Sequence, residues 1–162
     1  MGTDEAVNRH FLFPGTIFAE PHEYLISTVL GSCVAVCLWD KVIRRGGMNH
    51  IMLPLWNGEG LATPKYGNIA MEKLFAKVLS IGCRRENLVA KVFGGANVNG
   101  TGLEVFMIGD RNATLAFQML EEFRIPVVAK DIGGRVGRKI IMNSESGVVM
   151  LGRGRVKGKD QL

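Results

Sequence analysis

The chain has 162 residues, of which 47% are hydrophobic and 22% charged, a length and composition that suit one compact domain. Its mean hydropathy of +0.15 argues against a disordered polymer. No apolar stretch reaches the roughly 18 residues of a membrane span, and the first ten residues lack the apolar core of a signal peptide. We therefore expect a soluble, cytoplasmic protein that does not insert into the membrane.

The net charge of +5 is concentrated at the C-terminal end of the chain. Residues 153–162 hold four basic side chains and one acidic side chain. A short basic tail without interleaved aromatic residues is typical of a solvated terminus, and it does not indicate a nucleic-acid partner. We expect residues 153–162 and residues 1–10 to be flexible, which leaves one domain over residues 11–152.

Glycine and cysteine are the informative residue types. The 21 glycines interrupt apolar runs instead of clustering, a pattern that predicts many short strands joined by tight turns. The three cysteines, Cys33, Cys37 and Cys83, are an odd number in a chain without a secretion signal. They therefore do not predict a disulfide framework, and at least one thiol is expected to be free.

The first third of the chain predicts strands, because it is rich in β-branched and apolar residues divided by glycine and proline. The predicted strand segments are 11–20 with a turn at Pro14, 24–40 with a corner at Gly31, and 47–55, which pairs back across a loop at 40–46 as a hairpin.

Two helices are predicted from apolar side chains at helical spacing. The first covers residues 67–82 and ends at Gly82. The second covers residues 112–124, with Asp110 or Asn112 as its cap. Short strands are predicted at 88–93, 103–108, 126–129, 139–142 and 148–151. The pattern predicts a layered, sheet-rich α+β domain with two main helices.

Cys33 and His50 lie on the two arms of the predicted hairpin. Opposed residues of an antiparallel pair have a constant sum of numbers, and a loop of even length places Cys33 and His50 on one face as opposed or diagonal neighbours. A histidine beside a cysteine can take the thiol proton and return it to a leaving group. A third group would fix the ring tautomer, and the hydroxyl of Ser27 or Thr28 could supply it.

Other interpretations of these residues stay open at this point. Buried cysteines and lone histidines are more often structural than catalytic, and we interpret Cys37 and Cys83 as packing residues. A zinc site at Cys33, Cys37 and His50 would have atypical spacing and no obvious fourth ligand. No metal is expected.

Two glycine-rich segments resemble phosphate loops only superficially. The segments 94–102 and 133–139 match neither the P-loop nor the dinucleotide-binding pattern. They are better explained as turns in which glycine adopts left-handed conformations, so no cofactor is expected.

Several segments together resemble the CheD family of chemoreceptor glutamine deamidases. The resemblance rests on LGSCVAVCLWD (30–40) and GGMNHIMLP (46–54), and it continues in order through KYGNIAMEKL, AKVFGGANV, IGDRNA, IPVVAKDIGG and GRKIIMN. It implies a fold similar to the catalytic domain of the cytotoxic necrotizing factor toxins. It also implies a catalytic set of cysteine, histidine and threonine, which correspond to Cys33, His50 and, six residues before the cysteine, Ser27.

The resemblance implies that the protein converts receptor glutamines to glutamates through a thioester on Cys33. It further implies a partner, the CheC phosphatase. Interception of the thioester by an amine would instead give transglutamination. A regulator that only binds receptors or CheC, without catalysis, is the alternative from another functional class.

Overall fold

The two sheets of the protein pack face to face, and two α-helices cover the outer side of one sheet. This architecture is seen in a computed structural model that describes residues 6–97, 103–154 and 160–161. Within these residues the strands are β1 (Asn8–Phe11), β2 (Ile17–Ala19), β3 (Tyr24–Leu30), β4 (Val34–Asp40), β5 (Arg45–Asn49), β6 (Leu88–Gly94), β7 (Val127–Ile132), β8 (Arg138–Asn143), β9 (Val149–Arg153) and β10 (Asp160–Gln161). The helices are α1 (Gly67–Ser80) and α2 (Leu103–Glu122), with a single 3-10 turn at Arg85–Asn87.

The first sheet has the strand order β1-β3-β8-β9-β10, and the second has the order β2-β5-β4-β6-β7. Pairing is antiparallel except for β1 with β3 and β6 with β7. The parallel pair β6 and β7 is joined by α2, as a crossover connection requires. The predicted α+β class is therefore confirmed.

The alternation of side chains along β4 separates two cores. Val34, Val36 and Leu38 face the helices, whereas Ala35 and Cys37 face the first sheet. Both faces of β4 are buried, which explains why its sequence is almost continuously apolar instead of alternating. Side chains that leave β4 on the Cys37 face therefore point between the two sheets.

Several element predictions are confirmed. Helix α1 begins at Gly67 as predicted and ends two residues early, and Gly82 follows it with a φ of +102°. The predicted hairpin of β4 and β5 pairs Asp40 with Arg45. The glycine turns at Gly94 and Gly133 adopt φ of +113° and +87°, as expected of turns.

The prediction of a strand at 103–108 was wrong, because this segment forms the first turns of α2. Its residues Leu103, Glu104, Val105, Phe106, Met107 and Ile108 include three good helix formers, and the run continues the helical period of the residues that follow. Asp110 and Asn112 therefore lie inside the helix and not at its cap.

Described parts of both segments that were expected to be flexible form strands. Strand β1 lies in the segment expected to be unstructured and pairs with β3, and β10 pairs with β9. Residues 1–5, 155–159 and 162 of the predicted flexible termini, and residues 98–102 of the first glycine segment, lie outside the described residues. Neither of the described helices is both long and apolar enough to cross a membrane.

Candidate active site

Cys33 lies at the corner where the chain passes from β3 of the first sheet to β4 of the second. The segment that follows β6 fixes this corner, because the N–H of Gly95 donates to the carbonyl of Cys33 at 2.9 Å and the N–H of Ala96 donates to that of Gly31 at 2.9 Å. The Cys33 side chain is half-buried and packs against the core between the sheets. The thiol therefore lies at the edge of that core and is not fully enclosed by it.

His50 directly follows β5 and is almost fully buried. Its backbone is held on both sides by the loop before β2, since its N–H donates to Thr16 and its carbonyl accepts from Gly15. The pairing of Val34 with Ile51 extends the β4–β5 register, so His50 lies opposite Ala35 and diagonal to Cys33. Cys33 and His50 thus occupy the same face of the second sheet, as the sequence predicts.

Thr28 holds the imidazole from the opposite sheet. Its Oγ1 lies 2.7 Å from Nδ1 of His50 and 2.7 Å from the carbonyl oxygen of Leu12. Thr28 is fully buried and shares the inner face of β3 with Ile26 and Leu30. The site is therefore assembled from both sheets, with the hydroxyl on one and the thiol and ring on the other.

The structure places Ser27, the residue expected to fill the third role, away from the imidazole. Side chains alternate along β3, so Ser27 points away from the inner face, on the side of Val29, which is 56% exposed. The hydroxyl that meets His50 is that of Thr28, the alternative considered for this role.

The contacts of Thr28 determine which ring nitrogen carries the proton. A hydroxyl has one hydrogen, and the Leu12 carbonyl can only accept, so Thr28 donates to Leu12. The Thr28 oxygen must then accept from an N–H at Nδ1 of His50. This arrangement places the lone pair of the neutral ring on Nε2, which makes Nε2 the nitrogen able to take a proton from a thiol.

Burial determines the resting charge of both groups. It lowers the pKa of His50 from 6.5 to about 4 and raises the pKa of Cys33 above its ordinary value. At neutral pH the pair therefore rests as a thiol and a neutral imidazole, not as a thiolate and an imidazolium.

The remaining cysteines are packing residues, as predicted. Cys37 lies in the core between the sheets and Cys83 in the core beneath the helices. Burial raises the pKa of Cys37 to about 12 and, together with the charge of Asp40, that of Cys83 to about 11. Neither thiol is suited to act as a nucleophile at neutral pH.

Three contributors to the site were not predicted from the sequence. They are the Leu12 carbonyl, the loop at Gly95 and Ala96, and Asn112 of α2, whose side chain reaches the carbonyl of Ser32 beside Cys33. Backbone contributors leave no signal in residue type. Asn112 does leave a signal, because a polar residue within an apolar stripe of a helix often has a specific hydrogen-bonding role. The predicted start of the helix placed Asn112 at the cap, where a polar residue is ordinary.

Comparison with known proteins identifies the family. A family model described as CheD chemotactic sensory transduction matches residues 52–153. A protein of Trichlorobacter lovleyi named probable chemoreceptor glutamine deamidase CheD is 64% identical over 149 residues, which cover 92% of each chain. A protein of the same name from Sulfurimonas denitrificans is 48% identical over 144 residues, covering 88% of this chain and 92% of the relative. The chain therefore belongs to the CheD family.

Proposed function

We propose that this protein is a chemoreceptor glutamine deamidase, which hydrolyses glutamine side chains of receptors to glutamate and releases ammonia. The relatives from Trichlorobacter lovleyi and Sulfurimonas denitrificans carry this activity in their names. The main support for the proposal is the hydrogen bond between Oγ1 of Thr28 and Nδ1 of His50, at 2.7 Å. His50 lies on the same face of the second sheet as Cys33. These are the parts that acyl transfer from an amide requires: a nucleophile, a base and a group that orients the base.

In the proposed first half-reaction, Sγ of Cys33 attacks the carboxamide carbon while Nε2 of His50 takes the thiol proton. Because the thiol is protonated at rest, proton transfer accompanies attack instead of preceding it. The tetrahedral intermediate then collapses as His50 returns the proton to the departing nitrogen. Ammonia leaves, and the substrate acyl group remains on Cys33 as a thioester.

In the second half-reaction, Nε2 of His50 takes a proton from water, and the resulting hydroxide attacks the thioester. The carbon–sulfur bond breaks, the proton returns to sulfur, and a glutamate side chain is released. The sum is glutamine and water converted to glutamate and ammonia, with no cofactor required.

The corner at Cys33 also offers a place for the oxyanion. In the described part of the chain, the backbone N–H groups of Ser32 and Cys33 donate to no carbonyl or side chain. Free N–H groups next to a nucleophile are suited to receive the negative charge that develops on the amide oxygen. We assign the oxyanion to these two groups.

The test is ammonia release from a purified receptor cytoplasmic fragment. We expect release with the wild type and with Cys83→Ala, and none with Cys33→Ala or His50→Ala. Equal release from Cys33→Ala would overturn the assignment of Cys33 as the nucleophile. No release from the wild type would overturn the deamidase function and favour a binding protein without catalysis. The CheC phosphatase as a partner stays a prediction, tested by adding CheC to the same assay.

A further inference from the structure

The two backbone segments that carry the site separate at a fork. Strand β4 and the segment after β5 are last joined by mutual hydrogen bonds between Val34 and Ile51, of 3.0 and 2.7 Å. In an antiparallel ladder the next hydrogen-bonded pair would be Ser32 with Leu53. The N–H of Leu53 instead donates to the carbonyl of Lys65 at 3.0 Å, so the ladder ends after the Val34–Ile51 pair. Cys33 lies just beyond this pair, and His50, opposite Ala35, lies just before it.

Asn112 of α2 bridges this fork. Its Nδ2 donates to the carbonyl of Ser32 at 3.3 Å and to the carbonyl of Met52 at 3.1 Å. Ser32 directly precedes the cysteine, and Met52 lies two residues after the histidine. One carboxamide thus holds both branches, and because both partners are acceptors, its orientation is fixed.

The carboxamide of Asn112 approaches the backbone from the helix side of the second sheet. Helix α2 packs on the face of β4 that carries Val34, whereas the Cys33 side chain belongs to the opposite face. Asn112 therefore reaches the backbone beside Cys33 and His50 from the side of the second sheet opposite to the Cys33 side chain.

The other end of the carboxamide is unsatisfied. Asn112 is fully buried, and its Oδ1 is a buried side-chain atom without a hydrogen-bond partner in the described residues. A buried acceptor without a partner is unfavourable for stability. An apolar side chain would avoid that penalty but would leave the carbonyls of Ser32 and Met52 without this donor, so the asparagine serves those two contacts.

We propose that Asn112 is a positioning residue, which sets the separation between Cys33 and His50 by tying the two branches of the fork. The expected effect of Asn112 on kcat rests on the proposed deamidase function. The geometric effect of Asn112, the reactivity of the Cys33 thiol beside the ring, does not depend on the identity of the substrate.

The test compares Asn112→Leu, which removes both donors at similar volume, with Leu120→Ala in the same helix, which weakens packing away from the fork. For each variant we would measure thermal stability, kcat and KM for the receptor fragment, and the rate at which iodoacetamide alkylates Cys33, read by peptide mass spectrometry. Asn112→Ser, which keeps one short donor, replaces Asn112→Leu if the latter does not fold.

We expect Asn112→Leu to lower kcat at least about tenfold with KM within about twofold, and to change the alkylation rate of Cys33 by a similar factor. Leu120→Ala should lower thermal stability but leave kcat and alkylation near the wild-type values. The same kcat and alkylation rate in both variants would overturn the inference. If the wild type releases no ammonia, the proposed function fails, while the alkylation comparison still decides the role of Asn112.

Discussion

The Oγ1 of Thr28 lies 2.7 Å from Nδ1 of His50 and also 2.7 Å from the carbonyl oxygen of Leu12. This chain of two hydrogen bonds runs from the backbone of Leu12, which directly follows β1, through the buried hydroxyl of Thr28 on β3. It ends at the ring of His50, which directly follows β5 of the other sheet. Because a carbonyl can only accept, the direction of both bonds is fixed, and Nε2 of His50 is left with the lone pair of the neutral ring.

The first prediction concerns the hydroxyl of Thr28, which links these two hydrogen bonds. Thr28→Val keeps the shape of the side chain but removes the hydroxyl, so the ring loses its fixed tautomer and kcat should fall at least about tenfold. Thr28→Ser should keep most of the activity, and Ser27→Ala should stay within about twofold of the wild type, since Ser27 faces away from the ring. A larger loss in Ser27→Ala than in Thr28→Val would contradict the assignment.

The second prediction concerns the ionisation of Cys33. Burial raises the pKa of this thiol and lowers that of His50 to about 4, so no ion pair is expected near neutrality. The rate of alkylation by iodoacetamide, measured at Cys33 by peptide mass spectrometry, should rise with pH up to and beyond the ordinary cysteine value of about 8.5. A rate that stays constant between about pH 5 and 8 would mean a preformed thiolate, and it would contradict this resting state.

The third prediction concerns the pH dependence of stability. His50 titrates near 6.5 when unfolded and at about 4 in the fold, so between these values the unfolded chain binds more protons. The free energy of unfolding should therefore fall as the pH drops through this window, by at most about 3 kcal/mol from this residue.

The matched comparison is chemical denaturation of the wild type and His50→Asn at several pH values. The difference in unfolding free energy between the two proteins should change across the window from 6.5 to 4 and stay constant above it. A constant difference throughout would show that the buried ring does not titrate in this way.

The fourth prediction concerns Gly94, which touches the corner of the site. A Cβ atom at Gly94 would lie 2.2 Å from the carbonyl oxygen of Cys33, and the φ of +113° is itself unfavourable for other residues. Gly94→Ala should displace Cys33 and lower kcat at least about tenfold, as expected when a reacting group is moved.

Gly134 provides the control for this substitution. It also has a positive φ, +75°, but a Cβ atom there would meet nothing within 4 Å. Gly134→Ala should therefore cost about 1 kcal/mol of stability from backbone strain and leave kcat near the wild-type value. Equal losses of kcat in the two variants would mean that the contact with Cys33 is unimportant.

The shared face of Cys33 and His50 could be predicted because it depends only on parity in a hairpin. The orienting hydroxyl could not be assigned in the same way, because it comes from the other sheet, and sequence contains no direct record of how two sheets are packed. The sequence of β3 nevertheless indicates which of its side chains face inward. The apolar residues Ile26 and Leu30, which are buried, have even numbers like Thr28, whereas Ser27 lies on the other face.

The start of α2 was missed because local composition is ambiguous. A short apolar run such as 103–108 fits a buried strand and a buried helix equally well. Because 103–108 was predicted to be a strand, the predicted helix began at Asn112, and this interior residue of α2 was predicted to be a helix cap. The role of Asn112 depends on the distant carbonyls of Ser32 and Met52, which only the folded chain brings near it.

In the proposed reaction, the sulfur of Cys33 becomes covalently bound to the carbonyl carbon of a receptor glutamine. The most direct measurement is to mix the protein with receptor fragment, quench in acid within the first turnover, and map cross-linked peptides by mass spectrometry. We expect a receptor peptide joined to Cys33 with the loss of one ammonia, and no such peptide when Cys33→Ala is used. Conversion of the same glutamine to glutamate by Cys33→Ala, or an acyl adduct on Cys37 or Cys83, would contradict it.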